Sequence, residues 1–343
     1  MRRLPRTLGT AWVLLCLLPV AANSQAPKES LRLVETIPLP GVKGRLDHLD
    51  VDVKGKRLFV AGLENGSLEV VDLQTGKQTQ SIRGFKKPQG IFYVADLKKV
   101  FVASGDDGTL RVFQSDHLDL LDSIPLEPGP NRLAYDPHDR RIYVGYGGKD
   151  AGKDYGEVGI VDAQTDKRIG DIRVSAHPAE ILTNDSGRTL FVAIPVLSEI
   201  QVIDAQKQEV TATWKPKGKG VGDMAFDEST SRLFVGTRTP LLIVVDSKTG
   251  AEVASLPTVE GMDGVYFDAP RKRIYVSGGR GFEVGSVWVY QQKDADHYEL
   301  RDKVPTRPGA GTSFWSPELN RYYVAAPAND KQEAAVLVYE PQP

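Results

Sequence analysis

The sequence predicts an all-β fold, a seven-bladed β-propeller of four-stranded antiparallel blades, and three observations carry that expectation. The first is a repeated aromatic anchor inside an apolar run, at Phe59, Phe101, Tyr143, Phe191, Phe234, Tyr275 and Tyr323. Successive anchors lie 42, 42, 48, 43, 41 and 48 residues apart. A period of ~40–50 residues with several strands per repeat is the signature of a propeller. The second is turn chemistry at fixed offsets. Glu64-Asn65-Gly66 and Asp106-Asp107-Gly108 supply the Asn-Gly and Asp-Gly pairs that favour tight hairpins. The third is a vacancy. The last repeat has room for three strands before Pro343, while Leu31–Ile37 forms an extra strand ahead of the first repeat. Placing residues 31–37 in the seventh blade closes the ring and removes an open edge.

Within a repeat the elements follow one grammar, clearest in the fifth. Met224-Ala225-Phe226 makes the innermost strand, Arg232–Val235 the second, Leu241–Val245 the third and Glu252–Leu256 the fourth. These runs are rich in Val, Ile, Phe and Tyr, residues that fit a pleated, half-buried surface. Between the third and fourth strands Asp246-Ser247-Lys248-Thr249-Gly250 turns the chain, and the aspartate recurs as Asp72, Asp162 and Asp204. A short carboxylate there can accept from its own turn backbone, so a structural role is expected. No stretch has the caps and 3.6-residue period of a long helix.

Residues 1–26 stand apart. Arg2, Arg3 and Arg6 precede an apolar run from Ala11 to Ala22, and small residues follow. This reads as a secretory signal peptide cleaved after Ala22 or Ala26, leaving a single domain over 27–343. The apolar run is short for a membrane span. The only cysteine, Cys16, lies within it. The mature chain would then have no thiol, no disulfide and no Cys-x-x-Cys-His haem attachment, which suits a periplasmic or secreted address. Its 40 Lys+Arg against 45 Asp+Glu, with both signs interspersed, argue against a duplex nucleic-acid footprint.

The repeats resemble those of the YVTN-type β-propeller family, the periplasmic seven-bladed group that includes the YncE-like proteins. The likeness is carried by Arg57-Leu58-Phe59-Val60-Ala61, Arg141-Ile142-Tyr143-Val144-Gly145, Arg273-Ile274-Tyr275-Val276-Ser277 and Arg321-Tyr322-Tyr323-Val324-Ala325. The companion motif Val-Val-Asp-x-x-Thr-Gly occurs at Val70–Gly76 and Val244–Gly250. No repeat contains the literal Tyr-Val-Thr-Asn. The resemblance implies the fold and export. It implies no catalytic set, because one fold hosts many activities.

Chemistry is expected where the loops leading into the innermost strands, here called inbound loops, surround the channel mouth. Counting back eleven and twelve residues from each anchor brings Asp47, His48, Gln89, Asn131, Arg132, Glu180, Asp223 and Asp263 to that ring, with His177 beginning the fourth inbound loop. A divalent metal could be held by Asp47, His48, Glu180, Asp223 and Asp263. A polar small molecule could be held by convergent hydrogen bonds. The same charges could also pair with one another around water. Longer loops at 146–157, 278–283 and 326–334 offer Tyr146, Tyr155, Arg280 and Phe282 as contact residues.

Other motifs add little. Gly147–Asp154 nearly matches a phosphate loop, but Asp154 replaces the hydroxyl residue and no helix follows. No Gly-x-Ser-x-Gly elbow is present. The sequence therefore favours a monomeric binding or interaction protein that recognises a small polar molecule or another exported protein at the mouth. The alternative is a metal-assisted hydrolase or lactonase-like enzyme sited there.

Overall fold

A computed structural model describes residues 29–343; the signal-peptide reading lies outside them. The strands are β1 (Leu31–Pro38), then β2 (Leu49–Asp52), β3 (Arg57–Gly62), β4 (Ser67–Asp72) and β5 (Lys77–Arg83) in the first blade. The second blade holds β6 (Pro88–Val94), β7 (Lys99–Ser104), β8 (Thr109–Gln114) and β9 (Leu120–Pro125). The third holds β10 (Leu133–Asp136), β11 (Arg141–Gly147), β12 (Gly156–Asp162) and β13 (Lys167–Val174). The fourth holds β14 (Glu180–Thr183), β15 (Thr189–Ile194), β16 (Glu199–Asp204) and β17 (Glu209–Trp214). The fifth holds β18 (Val221–Asp227), β19 (Arg232–Thr237), β20 (Leu241–Asp246) and β21 (Glu252–Pro257). The sixth holds β22 (Gly264–Asp268), β23 (Arg273–Gly278), β24 (Ser286–Gln292) and β25 (Tyr298–Pro305). The seventh comprises β26 (Ser313–Ser316), β27 (Arg321–Ala326) and β28 (Ala335–Pro341), with β1 as its outermost strand. Seven four-stranded antiparallel sheets thus form the ring, as the repeats predict.

The core is not one mass but seven apolar clusters, one between each pair of neighbouring blades. All seven anchor aromatics are buried. Each sits on its second strand with alternate residues facing opposite neighbours. Tyr143 joins the cluster between the third and fourth blades, while Ile142 and Val144 join the one between the second and third. That is period-two alternation with both faces apolar.

The four predicted turn aspartates do what their position requires. Asp72 accepts from the Gln74 and Thr75 amides at 2.7 and 3.0 Å. Asp246 accepts from those of Lys248 and Thr249 at 3.0 and 2.9 Å. Asp162 and Asp204 repeat the arrangement. Amides aimed at a carboxylate favour its charged form, and these hydrogen bonds hold all four below the usual range, against the opposing pull of what burial they have.

Every blade shifts register between its two outermost strands, a bulge the sequence did not announce. In β1 the shift falls between Leu33 and Glu35. It reverses the alternation, so Leu31 enters the cluster with the sixth blade and Ile37 the cluster with the first. One strand thereby pins both interfaces of the closing blade. Ile37→Ala should cost about 2–5 kcal/mol, the usual range for emptying a buried Ile site. Chemical denaturation checks this, and a loss below ~1 kcal/mol would mean β1 docks too loosely to act as the closure.

Candidate functional site

The inbound loops are rigid before they reach the channel because their backbones continue each blade's ladder. The Asp47 amide donates to the Ala61 carbonyl at 2.8 Å, Asn131 to Gly145 at 3.0 Å, Ala179 to Ala193 at 2.9 Å and Asp263 to Ser277 at 3.0 Å. Side chains there are aimed by strand geometry, not by free loops. The first inbound loop turns at Gly44, whose φ of 71° suits glycine and where a Cβ would lie 2.3 Å from a Glu64 carboxylate oxygen. That carboxylate accepts from the Arg45 amide at 2.9 Å and fixes the next side chain.

The structure brings Asp47, His48, Arg132, Glu180, Asp223 and Asp263 together as a buried ionic layer. Arg132 lies 2.8 Å from Glu180 and 3.1 Å from Asp223, spanning from the third inbound loop to the fourth and fifth. Arg45 lies 3.2 Å from Asp47 and 3.4 Å from Asp263. Asp263 also takes Arg280 at 3.0 Å and the Thr312 hydroxyl at 2.7 Å. Asp47 and His48 approach to 3.4 Å. Arg45 escapes a count from the anchors because it sits two residues before Asp47.

Above this layer opens a cavity of about 530 Å³. Its charged wall includes Arg45, Asp223, Asp263 and Arg280; its apolar wall is Pro195, Val196, Pro240, Met262 and Phe282. Gln89, Asn131 and His177 also border it. Gln89 donates to the Pro130 carbonyl at 3.0 Å, and His177 Nδ1 meets the Gly147 carbonyl at 3.0 Å. Below the layer lies a chamber of about 390 Å³, bordered by the apolar residues Leu49, Ile91, Leu133, Ile181, Met224 and Val265. Arg132 and Glu180 face that chamber and Asp223 the upper cavity, so their ion pairs partition the channel.

Two of the expected loop contacts fall elsewhere. Tyr146 is fully buried, because β11 runs on through Gly147 and carries Tyr146 into the same cluster as Ile142 and Val144. Its hydroxyl donates to Asp171 at 2.5 Å and accepts from Arg168 at 2.7 Å. Tyr155 is half-buried beneath the Arg173 guanidinium, 3.9 Å from its ring centre. Arg280 and Phe282 do reach the cavity.

Burial controls protonation here. It raises Asp47, Glu180 and Asp223 above the usual carboxylate range, opposed by Arg45 at the first and by Arg132 at the other two. Burial, then the Arg132 and Arg45 charges, pushes His48 well below its ordinary value, so it is neutral. The expected metal set does not assemble. Among the described residues no three His, Cys, Asp or Glu side chains converge as metal ligands. The reason is visible: guanidinium groups lie against the carboxylates that would have served. The donor set therefore does not fit the metal-assisted chemistry of the enzymatic alternative.

Comparison with solved structures supports the fold. The chain superposes on a chain of the Kuenenia stuttgartiensis hydrazine synthase with a TM-score of 0.72, at 18% identity, over 87% of this chain and 97% of that one. A chain from a crystal structure of the mitotic checkpoint complex gives a TM-score of 0.75 at 14% identity, over 98% and 100%. No family model and no curated protein matches. At these identities the likeness is one of architecture, and the chain is similar in fold to propellers of very different assemblies.

Two outcomes follow from the ionic layer. Arg132→Met should cost about 3–5 kcal/mol at pH 8, because two buried carboxylates lose their counter-ion. The loss should shrink toward pH 5 as they take up protons; thermal unfolding across that range reads it, and a pH-independent deficit would assign Arg132 a packing role alone. Asp50, beside the lower chamber, is pushed up to about 7 by burial despite accepting from the Tyr93 amide at 2.6 Å. A raised carboxylate contributes stability below its unfolded value that is lost as pH rises through its folded value. Relative to the wild type, Asp50→Asn should therefore gain in melting temperature between pH 4.5 and 8, and a constant difference would contradict the assignment.

Proposed function

We propose that this chain is an exported binding protein that holds a small polar molecule in the cavity at its channel mouth. Export rests on the N-terminal leader pattern and on a mature chain without cysteine. The repeat grammar supports placing it beside the YVTN-type periplasmic propellers. Among the described residues no helix is long and apolar enough to cross a membrane.

One observation carries the binding reading. Five polar atoms in the ionic layer are buried without a hydrogen bond: Arg45 Nε, His48 Nδ1 and Arg132 Nε, together with Asp47 Oδ1 and Asp223 Oδ2, which are held only by their contacts with His48 at 3.4 Å and Arg132 at 3.1 Å. Leaving a buried donor or acceptor unmet costs roughly 1–3 kcal/mol, so native proteins leave few. Five in one place, beneath a cavity large enough for a metabolite-sized molecule, mark groups kept ready for something that enters. Rigid inbound loops add affinity by limiting the ordering cost of binding.

A thermal-shift screen of small polar metabolites tests this against the wild type, Asp223→Asn and Phe282→Ala. Binding at the mouth predicts compounds that raise the wild-type melting temperature by several degrees and lose that effect in one or both variants. A screen in which every stabilising compound works equally on all three proteins would rule the mouth out.

A further inference from the structure

We infer that the mouth cavity selects a molecule carrying one protonated amine, at least one hydroxyl and an apolar flank, a step that rests on the mouth being the binding site. The charge balance is the first support. Asp47, Glu180, Asp223 and Asp263 face Arg45, Arg132 and Arg280, one carboxylate more than the guanidinium groups available. At the rim, exposed Arg238 and exposed Glu260 offset one another. A single ligand cation completes the set.

The carboxylates at the cavity place that cation. Asp223 is 9% exposed and borders the cavity, and its Oδ2 is held only by the ion pair with Arg132 at 3.1 Å. Asp263 borders the same cavity, whereas Asp47, 1% exposed, does not line it and turns its Oδ1 to His48 at 3.4 Å. An ammonium group has three donors and no acceptor, which suits the two carboxylates, Asp223 and Asp263, that border the cavity. An anion would add to the excess negative charge. The unmet Arg45 Nε, on a residue that lines the cavity, is a donor already beside carboxylates, and a neutral hydroxyl can satisfy it without altering the balance.

The opposite wall defines the rest of the ligand. Val196, Pro240, Met262 and Phe282 line the cavity from the fourth, fifth and sixth blades. Val196 and Phe282 are 60% and 45% exposed, an apolar surface beside a charged one. A flat ring or short hydrocarbon laid there would cover it, and the Met262 thioether suits an aromatic face. Meanwhile a proton shared among Asp47, Glu180 and Asp223 occupies the place of the missing cation, since burial raises all three. The amine displaces that proton, so affinity must rise with pH.

Isothermal titration calorimetry with tyramine and, as its anionic counterpart, 4-hydroxyphenylacetate tests the assignment. Tyramine should bind the full chain, about tenfold more tightly at pH 8 than at pH 5.5 for one linked proton over the effective range. Asp223→Asn should weaken it about tenfold, the scale of one lost charge-assisted contact. Phe282→Ala, on an exposed loop where folding is not at risk, should weaken it several-fold. No binding of tyramine, or binding indifferent to pH and to Phe282→Ala, overturns the inference. Should 4-hydroxyphenylacetate bind instead and depend on Phe282, the mouth stands as a site and the cationic class falls. If neither probe binds and the metabolite screen yields no mouth-dependent compound, both readings fall together.

Discussion

Closure of the ring by β1 is the constraint from which the remaining geometry follows. A propeller has no central core; its apolar surface is divided among the interfaces between blades, and each blade needs two neighbours to be buried on both faces. Without β1 the seventh blade would lack its outer strand and both of its interfaces would lose a buried residue. Because the strand comes from far earlier in the sequence, pairing 31–38 with 335–341 ties the first and last described strands together. Every interface, and therefore the radius of the channel, is set once that pairing is made.

The channel radius decides what the inbound loops can do. Seven innermost strands bring side chains far apart in sequence into one small volume, where apolar residues fill the lower part and charged residues the upper. Arg132 is the central member. A guanidinium whose one terminal nitrogen lies against both the Glu180 and Asp223 carboxylates joins three blades without any covalent link. Such a layer is not chosen for stability alone, because desolvating buried ions offsets much of their attraction. Its position at the boundary of a cavity is what the proposed binding role would explain.

Much of this was legible in the sequence, and the residues show why. The anchors are large, buried and on the second strand of each blade, so their spacing transmits the blade period directly. Counting back from them found Asp47, Arg132, Glu180, Asp223 and Asp263 because the stretch between loop and anchor is ladder-bound and hardly varies in length. Arg45 was missed because a long side chain on an earlier residue reaches the same point, and a count along the backbone does not register reach. Tyr146 was misplaced for a different reason. Its parity matches Ile142 and Val144, which face the blade interface, but the glycines around it read as a loop and hid the continuation of β11. The bulges left no sequence mark at all, since an extra residue in an edge strand changes alternation without changing composition. Val196 and Pro240 of the apolar wall lie on loops between second and third strands, and Met262 on the inbound loop just before Asp263; their meeting depends on ring curvature and not on any local pattern.

The mixture of paired and unpaired charge at the mouth bears on specificity more than on affinity. If all the carboxylates were matched by guanidinium groups, the layer would be a closed network, satisfied before any ligand arrived and indifferent to its charge. If none were matched, burial would simply protonate them and the site would be neutral. With one carboxylate in excess, the proposed site would discriminate by sign: a cation would displace a weakly held proton, a neutral molecule would leave the imbalance in place, and an anion would deepen it. Discrimination of this kind requires that the carboxylates cannot swing away to solvent, and the backbone ladder beneath Asp47 and Asp263 supplies that restraint. On that proposal the propeller's contribution to recognition would be mechanical as well as electrostatic. It holds like charges in proximity that a flexible loop would relax, and it keeps the resulting tension available for a partner that can neutralise it.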